Sequence, residues 1–232
     1  MMKTGFAQTL IIAALSSTLL LAACTKPEQA TSNQSTSQPG APAKPTTTIG
    51  VYRPSNSTFY LHTSNMPGNP EIAMSFGPQG GLPVAGDWDG DGNATVGIYK
   101  PDEATFYLRN SNSPGNADAM VAFGPKGSVP IAGDWDGNGS TTVGVYNPNE
   151  SIFYLRNSNT SGGADLTITY GVKGDIPVAG DWDGNGSVTI GVYRPGDSTF
   201  YLRNNNSPGN ADYYVQFGAL ADIPIVGHWE KQ

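Results

Sequence analysis

The sequence is short of the residues that would staple, charge or arm it. One cysteine, Cys24, stands among 232 residues, so no internal disulfide framework can form. Charged residues amount to 13%, and 12 Lys and Arg face 19 Asp and Glu for a formal net charge of −7. That balance offers no basic stripe to neutralise phosphates and argues against nucleic acid as a partner. Only two histidines are present. Catalysis needs a nucleophile, a base or an open metal site in a one-off constellation, and none stands out, so the expectation is a protein that is not an enzyme. What abounds is Gly (30) and Pro (18), the composition of many short strands and tight turns.

Long apolar runs are scarce too. Lys3 precedes LIIAAL (10–15) and LLLAA (19–23), a stretch too short for a comfortable membrane span. It closes on Leu21-Ala22-Ala23-Cys24, which resembles the lipobox of bacterial lipoproteins; the alternative is an ordinary secretory signal with a chance cysteine. The resemblance implies that residues 1–23 are a signal peptide, that Cys24 becomes the acylated first residue, and that membrane lipid is a partner. Thr25 rather than Asp after the cysteine implies, by analogy with lipoprotein sorting, the outer membrane if the host is Gram-negative. Residues 24–48 are rich in Ser, Thr, Pro, Gln and Ala without apolar periodicity. Such a segment cannot bury enough surface to offset its ordering entropy, so a flexible tether is expected.

From residue 49 onward the chain repeats itself. Gly50, Gly97, Gly144 and Gly191 are 47 residues apart, as are Asp87, Asp134 and Asp181, with His228 next in that series. Each unit holds four strand-like runs, for example PVAGDW, TVGIY, TFYLRN and AMVAFG, separated by Gly, Pro, Asn and Asp clusters that make turns. Four short antiparallel strands repeated in tandem predict an all-β, four-bladed β-propeller over 49–232; a β-solenoid is the runner-up. The domain opens on the second-strand pattern at Ile49 and reaches the first-strand pattern again at 223–229, IPIVGHW. Joining the two predicts a last blade closed by strands from both ends, which removes the open sheet edges.

Three loops carry oxygen side chains at positions 1, 3 and 5, with glycines at 4 and 6. A hard cation such as Ca²⁺ wants several oxygens about 2.3–2.6 Å away, and glycine permits the left-handed backbone of so tight a loop. The candidate ligands are Asp87, Asp89, Asp91, Asn93 and Thr95; Asp134, Asp136, Asn138, Ser140 and Thr142; and Asp181, Asp183, Asn185, Ser187 and Thr189. Positions 7 and 9 enter through a backbone carbonyl and through a hydroxyl or a water. Hydrogen-bonded turns without metal are the alternative. Position 12 is Ile98, Val145 or Val192, which excludes an EF-hand.

The loops, together with Phe76-Gly77, Phe123-Gly124, Tyr170-Gly171, Phe217-Gly218 and the run Gly97-Ile98-Tyr99-Lys100-Pro101, resemble FG-GAP repeats of integrin-α-type propellers and related bacterial proteins. The resemblance implies three Ca²⁺ sites. Thr at position 9, where that family has Asp, and Asn at position 5 of two loops lower the charge and predict weak binding, about 10⁻⁴–10⁻³ M. The implied role is a surface-anchored binding or adhesion module for a glycan or protein. A structural or accessory envelope lipoprotein and a metal-dependent hydrolase or lyase are the alternatives. Trp88, Trp135, Trp182 and Trp229 are read as inter-blade packing rather than sugar platforms. Arg109, Arg156 and Arg203 are read as partners of Asp118, Asp165 and Asp212 across a hairpin rather than a ligand-facing cluster, with His62 and Glu71 in the first copy. Asn110-Ser111-Asn112 and Asn204-Asn205-Asn206 are read as exposed polar turns and candidate glycan contacts.

Overall fold

Alternation of apolar and polar residues between turn clusters makes four strands per repeat, and a computed structural model of the chain shows where they go. It describes residues 49–63, 69–219, 222, 224 and 226, all within a compact unit spanning Thr47–Gln232. The signal peptide, Cys24, the tether, His228 and Trp229 lie outside the described residues.

Sheet I holds β1 (Gly50–Arg53), β2 (Thr58–Leu61) and β3 (Ile72–Ser75). Sheet II holds β4 (Leu82–Gly86), β5 (Thr95–Lys100), β6 (Thr105–Leu108) and β7 (Ala119–Ala122). Sheet III holds β8 (Val129–Gly133), β9 (Thr142–Asn147), β10 (Ile152–Leu155) and β11 (Leu166–Thr169). Sheet IV holds β12 (Ile176–Gly180), β13 (Thr189–Arg194), β14 (Thr199–Leu202) and β15 (Tyr213–Gln216). Every sheet is antiparallel and runs in chain order. The all-β expectation therefore holds, with four blade-like sheets, of which sheet I has three strands among the described residues.

Local chemistry explains the pattern. Pro83, Pro130 and Pro177 fall on β4, β8 and β12, the edge strands where a missing N–H costs no ladder bond. Tyr99 of β5 stands opposite Phe106 of β6 with ring centroids 4.4 Å apart, and each other sheet repeats the pair. The second strands β5, β9 and β13 are buried along nearly their whole length. Outer-strand residues of one sheet pack on the second strand of the next: Met74 and Phe76 with Val96 and Ile98, Val121 and Phe123 with Val143 and Val145, Ile168 and Tyr170 with Ile190 and Val192. Each such side chain contributes roughly 1.5–3 kcal/mol by leaving water. The first strands β4, β8 and β12 lie side by side in succession.

Of the closing strand expected over 223–229, only residues 224 and 226 are among the described residues. Within them, the faces that a closed ring would bury, Ile49 and Val51 on sheet I and Val215 and Phe217 on sheet IV, are exposed.

Candidate metal centre

The three Asp-rich loops join the first and second strands of sheets II, III and IV. Their first aspartate ends the strand and folds the loop over itself. Asp87 Oδ1 accepts from the N–H groups of Gly90 (2.8 Å) and Asp91 (3.0 Å), and Oδ2 from Gly92 (2.8 Å). Asp181 repeats this with Gly184, Asn185 and Gly186, and Asp134 with Asn138 and Gly139. The N–H of Gly186, followed by those of Asn185 and Gly184, holds the Asp181 carboxyl below the usual carboxylate range. The turn needs φ of +76° and +89° at Gly90 and Gly92, and similar values recur in the other loops, so glycine is required there.

Position 5 folds in behind. Asp91 Oδ1 accepts from Asn93 N–H at 2.7 Å, and Asn138 and Asn185 do the same for Ser140 and Ser187 at 2.8 Å. In the first loop, Asp87, Asp89 and Asp91 each bring one carboxylate oxygen within 4.8 Å of the others. Oxygens on opposite sides of one Ca²⁺ lie about 4.6–5.2 Å apart, twice the bond length, so this donor set fits the ion. A carboxylate has about four lone-pair sites, so Asp87 can hold its turn and still ligate. The other two loops offer Asp134, Asp136 and Asn138, and Asp181, Asp183 and Asn185, with one carboxylate fewer.

Position 9 sits elsewhere. The hydroxyls of Thr95, Thr142 and Thr189 donate to the carbonyls of Gly86, Gly133 and Gly180, each at 3.3 Å, at the start of the second strand. At position 7, where the backbone carbonyl is the expected ligand, the side chains pack between loops: Ser140 Oγ lies against Gly90 of the preceding loop, and Ser187 Oγ against Gly137. Successive loops are joined by main-chain bonds from Thr141 N–H to Asp87 C=O (2.8 Å) and from Val188 N–H to Asp134 C=O (3.0 Å). The result is a row of loops along one edge of the sheets, with Asp89, Asp136 and Asp183 exposed.

The Asn-rich turns, expected to face solvent, clamp this row. Asn159 Nδ2 donates to the carbonyls of Trp88 (3.1 Å) and Thr141 (2.9 Å), one in each of two neighbouring sheets. Asn206 bonds Val188 C=O at 3.0 Å and Asn112 bonds Ala94 C=O at 3.0 Å. The signal was the 47-residue spacing of Asn112, Asn159 and Asn206.

Trp88 and Trp135 are core residues of the inter-sheet clusters, and Trp182 is half-buried. Their rings lie over Gly86, Gly133 and Gly180. Arg109 meets Asp118 at 2.9 Å, Arg203 meets Asp212 at 3.2 Å, Arg156 lies 3.9 Å from Asp165, and His62 lies 2.9 Å from Glu71. Each arginine also donates to main-chain carbonyls of its own turn, for Arg109 those of Ser113, Pro114 and Asn116. A Cβ at Gly115 would fall 2.5 Å from that guanidinium, so the turn is moulded around the arginine.

No family model, curated protein or solved structure matches this chain.

Proposed function

We propose that the chain is a calcium-binding module carried on a lipid anchor at the bacterial envelope, built of FG-GAP-type propeller blades, which holds a surface glycan or protein. The observation that supports this reading most is the row of loops. Three oxygen-rich loops, linked through Asp87–Thr141 and Asp134–Val188, present exposed carboxylates at one repeat spacing. The Asp87, Asp89 and Asp91 cluster supports a hard cation at the first loop. Bound there, Ca²⁺ would supply an electrophilic centre able to share hydroxyl or carboxylate oxygens of a ligand. A row of equivalent sites suits a ligand that itself repeats, as a polysaccharide does, because linked contacts multiply weak affinities.

The test is retention of the protein on a glycan array with calcium and with EDTA. The expected outcome is binding with calcium that EDTA abolishes. Binding indifferent to EDTA would separate the ligand from the metal, and no retention on any glycan would end the glycan reading. For the anchor, Cys24→Ser should release soluble protein or leave an unprocessed precursor; a variant processed and membrane-bound like the parent would remove the lipid from the proposal.

A further inference from the structure

The repeats are near copies, so a set of side chains that occurs once marks a place where one copy differs in more than sequence. Such a set stands between sheets III and IV. A cavity of about 330 Å³ opens there, walled by Thr169 and Tyr170 at the end of β11 and by Arg194, Tyr201, Asn210 and Tyr214 of sheet IV. All six lie among the described residues. Small-molecule sites hold about 300–1,000 Å³, so this one suits a single ring.

Tyr201 of β14 and Tyr214 of β15 are cross-strand partners. Their ring centroids are 5.6 Å apart and their planes meet at 84°, so the two rings form a corner. Arg194 lies over the Tyr201 ring, its guanidinium carbon 4.4 Å from the centroid. Asp175 fixes that guanidinium through Nε and Nη2, both at 2.9 Å. Neither bond uses Nη1, so a rigidly held fork keeps donors to spare. The Tyr201 hydroxyl is anchored too, donating to Asp197 Oδ2 at 2.8 Å. The other sheets keep Tyr60, Tyr107 and Tyr154 in the place of Tyr201. Ala73, Met120 and Thr167 stand in the place of Tyr214, and sheets II and III have Lys100 and Asn147 in the place of Arg194. The preceding junction is also stitched, because Ser161 Oγ accepts from the Ala122 N–H at 2.9 Å. One repeat on, Pro208 brings no hydroxyl to Thr169.

We propose that this cleft binds one uncharged sugar ring, an inference that rests on the glycan reading above and adds to it a subsite sharing no residue with the calcium loops. A pyranose has C–H faces and a rim of hydroxyls. The π face of Tyr214 is electronegative and attracts the C–H face, and a tyrosine loses little conformational freedom on contact. Arg194 Nη1 and the Asn210 amide offer hydrogen bonds to the rim. Charge selects against an acidic sugar. The charges that act on Tyr170 and Tyr201 are those of Arg194 and Arg203 against Asp175, Asp197 and Asp212, two positive and three negative, so a carboxylate entering the cleft meets net repulsion.

The experiment is saturation-transfer NMR on the full chain in a sugar-free detergent with EDTA present. The probes are the methyl glycosides of glucose, galactose and mannose, with methyl glucuronide as the acidic comparison. At least one uncharged glycoside should receive saturation, and the glucuronide should bind more weakly. Tyr214→Thr, which gives sheet IV the residue that sheet III carries there, should weaken the uncharged glycoside about tenfold. Should that variant fail to fold, Asn210→Gly, again the residue of sheet III, replaces it with the same expectation. No transfer to any uncharged glycoside, transfer that EDTA abolishes, transfer untouched by the variant, or a glucuronide that binds more tightly would each overturn the proposal. The glycan reading is tested separately by the array in calcium: retention there without a glycoside bound in EDTA leaves glycan binding to the loops and removes only the cleft.

Discussion

Asn159 donates its side-chain amide to the carbonyl of Trp88, 71 positions earlier in the chain, and with its second hydrogen to Thr141. One side chain thus ties the loop of sheet II to that of sheet III. Its removal leaves two main-chain carbonyls short of a donor, a loss of about 1–3 kcal/mol. Asn159→Ala should lower the urea midpoint accordingly. Asn112→Ala should cost less, because its amide bonds a single carbonyl, that of Ala94. Equal losses at the two positions would show that the bridge between sheets adds nothing.

Calcium should stabilise the chain most through the first loop. An ion that binds only the folded form adds about 1.4 kcal/mol per site at tenfold excess over Kd. Asp91→Asn should weaken the loop that has three carboxylates, and Asn138→Asp should strengthen its neighbour by creating the same set. Isothermal titration with millimolar calcium reads both changes, and EDTA should reverse the gain in Tm. No heat of binding, with a Tm that ignores EDTA, would leave the loops as hydrogen-bonded turns.

Arg109 should not tolerate lysine. Its fork reaches Asp118 and three turn carbonyls at once, whereas an ammonium has one centre. Arg109→Lys should destabilise by about 1–3 kcal/mol in thermal or urea unfolding. Added salt should not erase the difference between variant and parent, since the carbonyl bonds are not an ion pair. A variant as stable as the parent would reduce the arginine to a surface charge partner, worth about 0–1 kcal/mol.

Alkali should unfold the protein through its buried phenols. Burial pushes the Tyr99 hydroxyl from 10 up to about 12, and burial does the same at Tyr170. The folded state therefore keeps protons that the unfolded chain has begun to release at pH 10. This contribution is complete below pH 10 and is lost as the pH climbs from 10 to about 12, on the order of 2–3 kcal/mol per group. Tyr99→Phe should flatten the fall in urea midpoint over that window. An unchanged slope would mean that its hydroxyl titrates alike in both states.

Much of this was local and so could be read from residues alone. Three four-run units became four-stranded sheets, and β1–β3 a fourth sheet, because alternation and turn residues act over a few positions. The positive φ of Gly90 and Gly92 and the pairing of Arg109 with Asp118 likewise follow from short spacings. Position 9 was harder: Thr95 carries a ligand-type oxygen at a plausible spacing, but its hydroxyl is turned onto Gly86 by the strand that it begins. The repeat spacing singles out Asn159, but not its bridging role, because one of its two acceptors, the Trp88 carbonyl, comes from a different sheet.

What the sequence determined by itself is the unit: its strands, its turns, and the Asp, Asn and Gly that fold each loop. What only the tertiary structure decided is which faces find a neighbour. Val51 and Val145 hold the same place in the repeat and in its apolar pattern, yet one is exposed and the other fully buried. Periodicity tells a strand which side is apolar, but burial is a relation between two surfaces. That relation exists at Val145 because sheet II lies against it, and no sheet among the described residues supplies it at Val51.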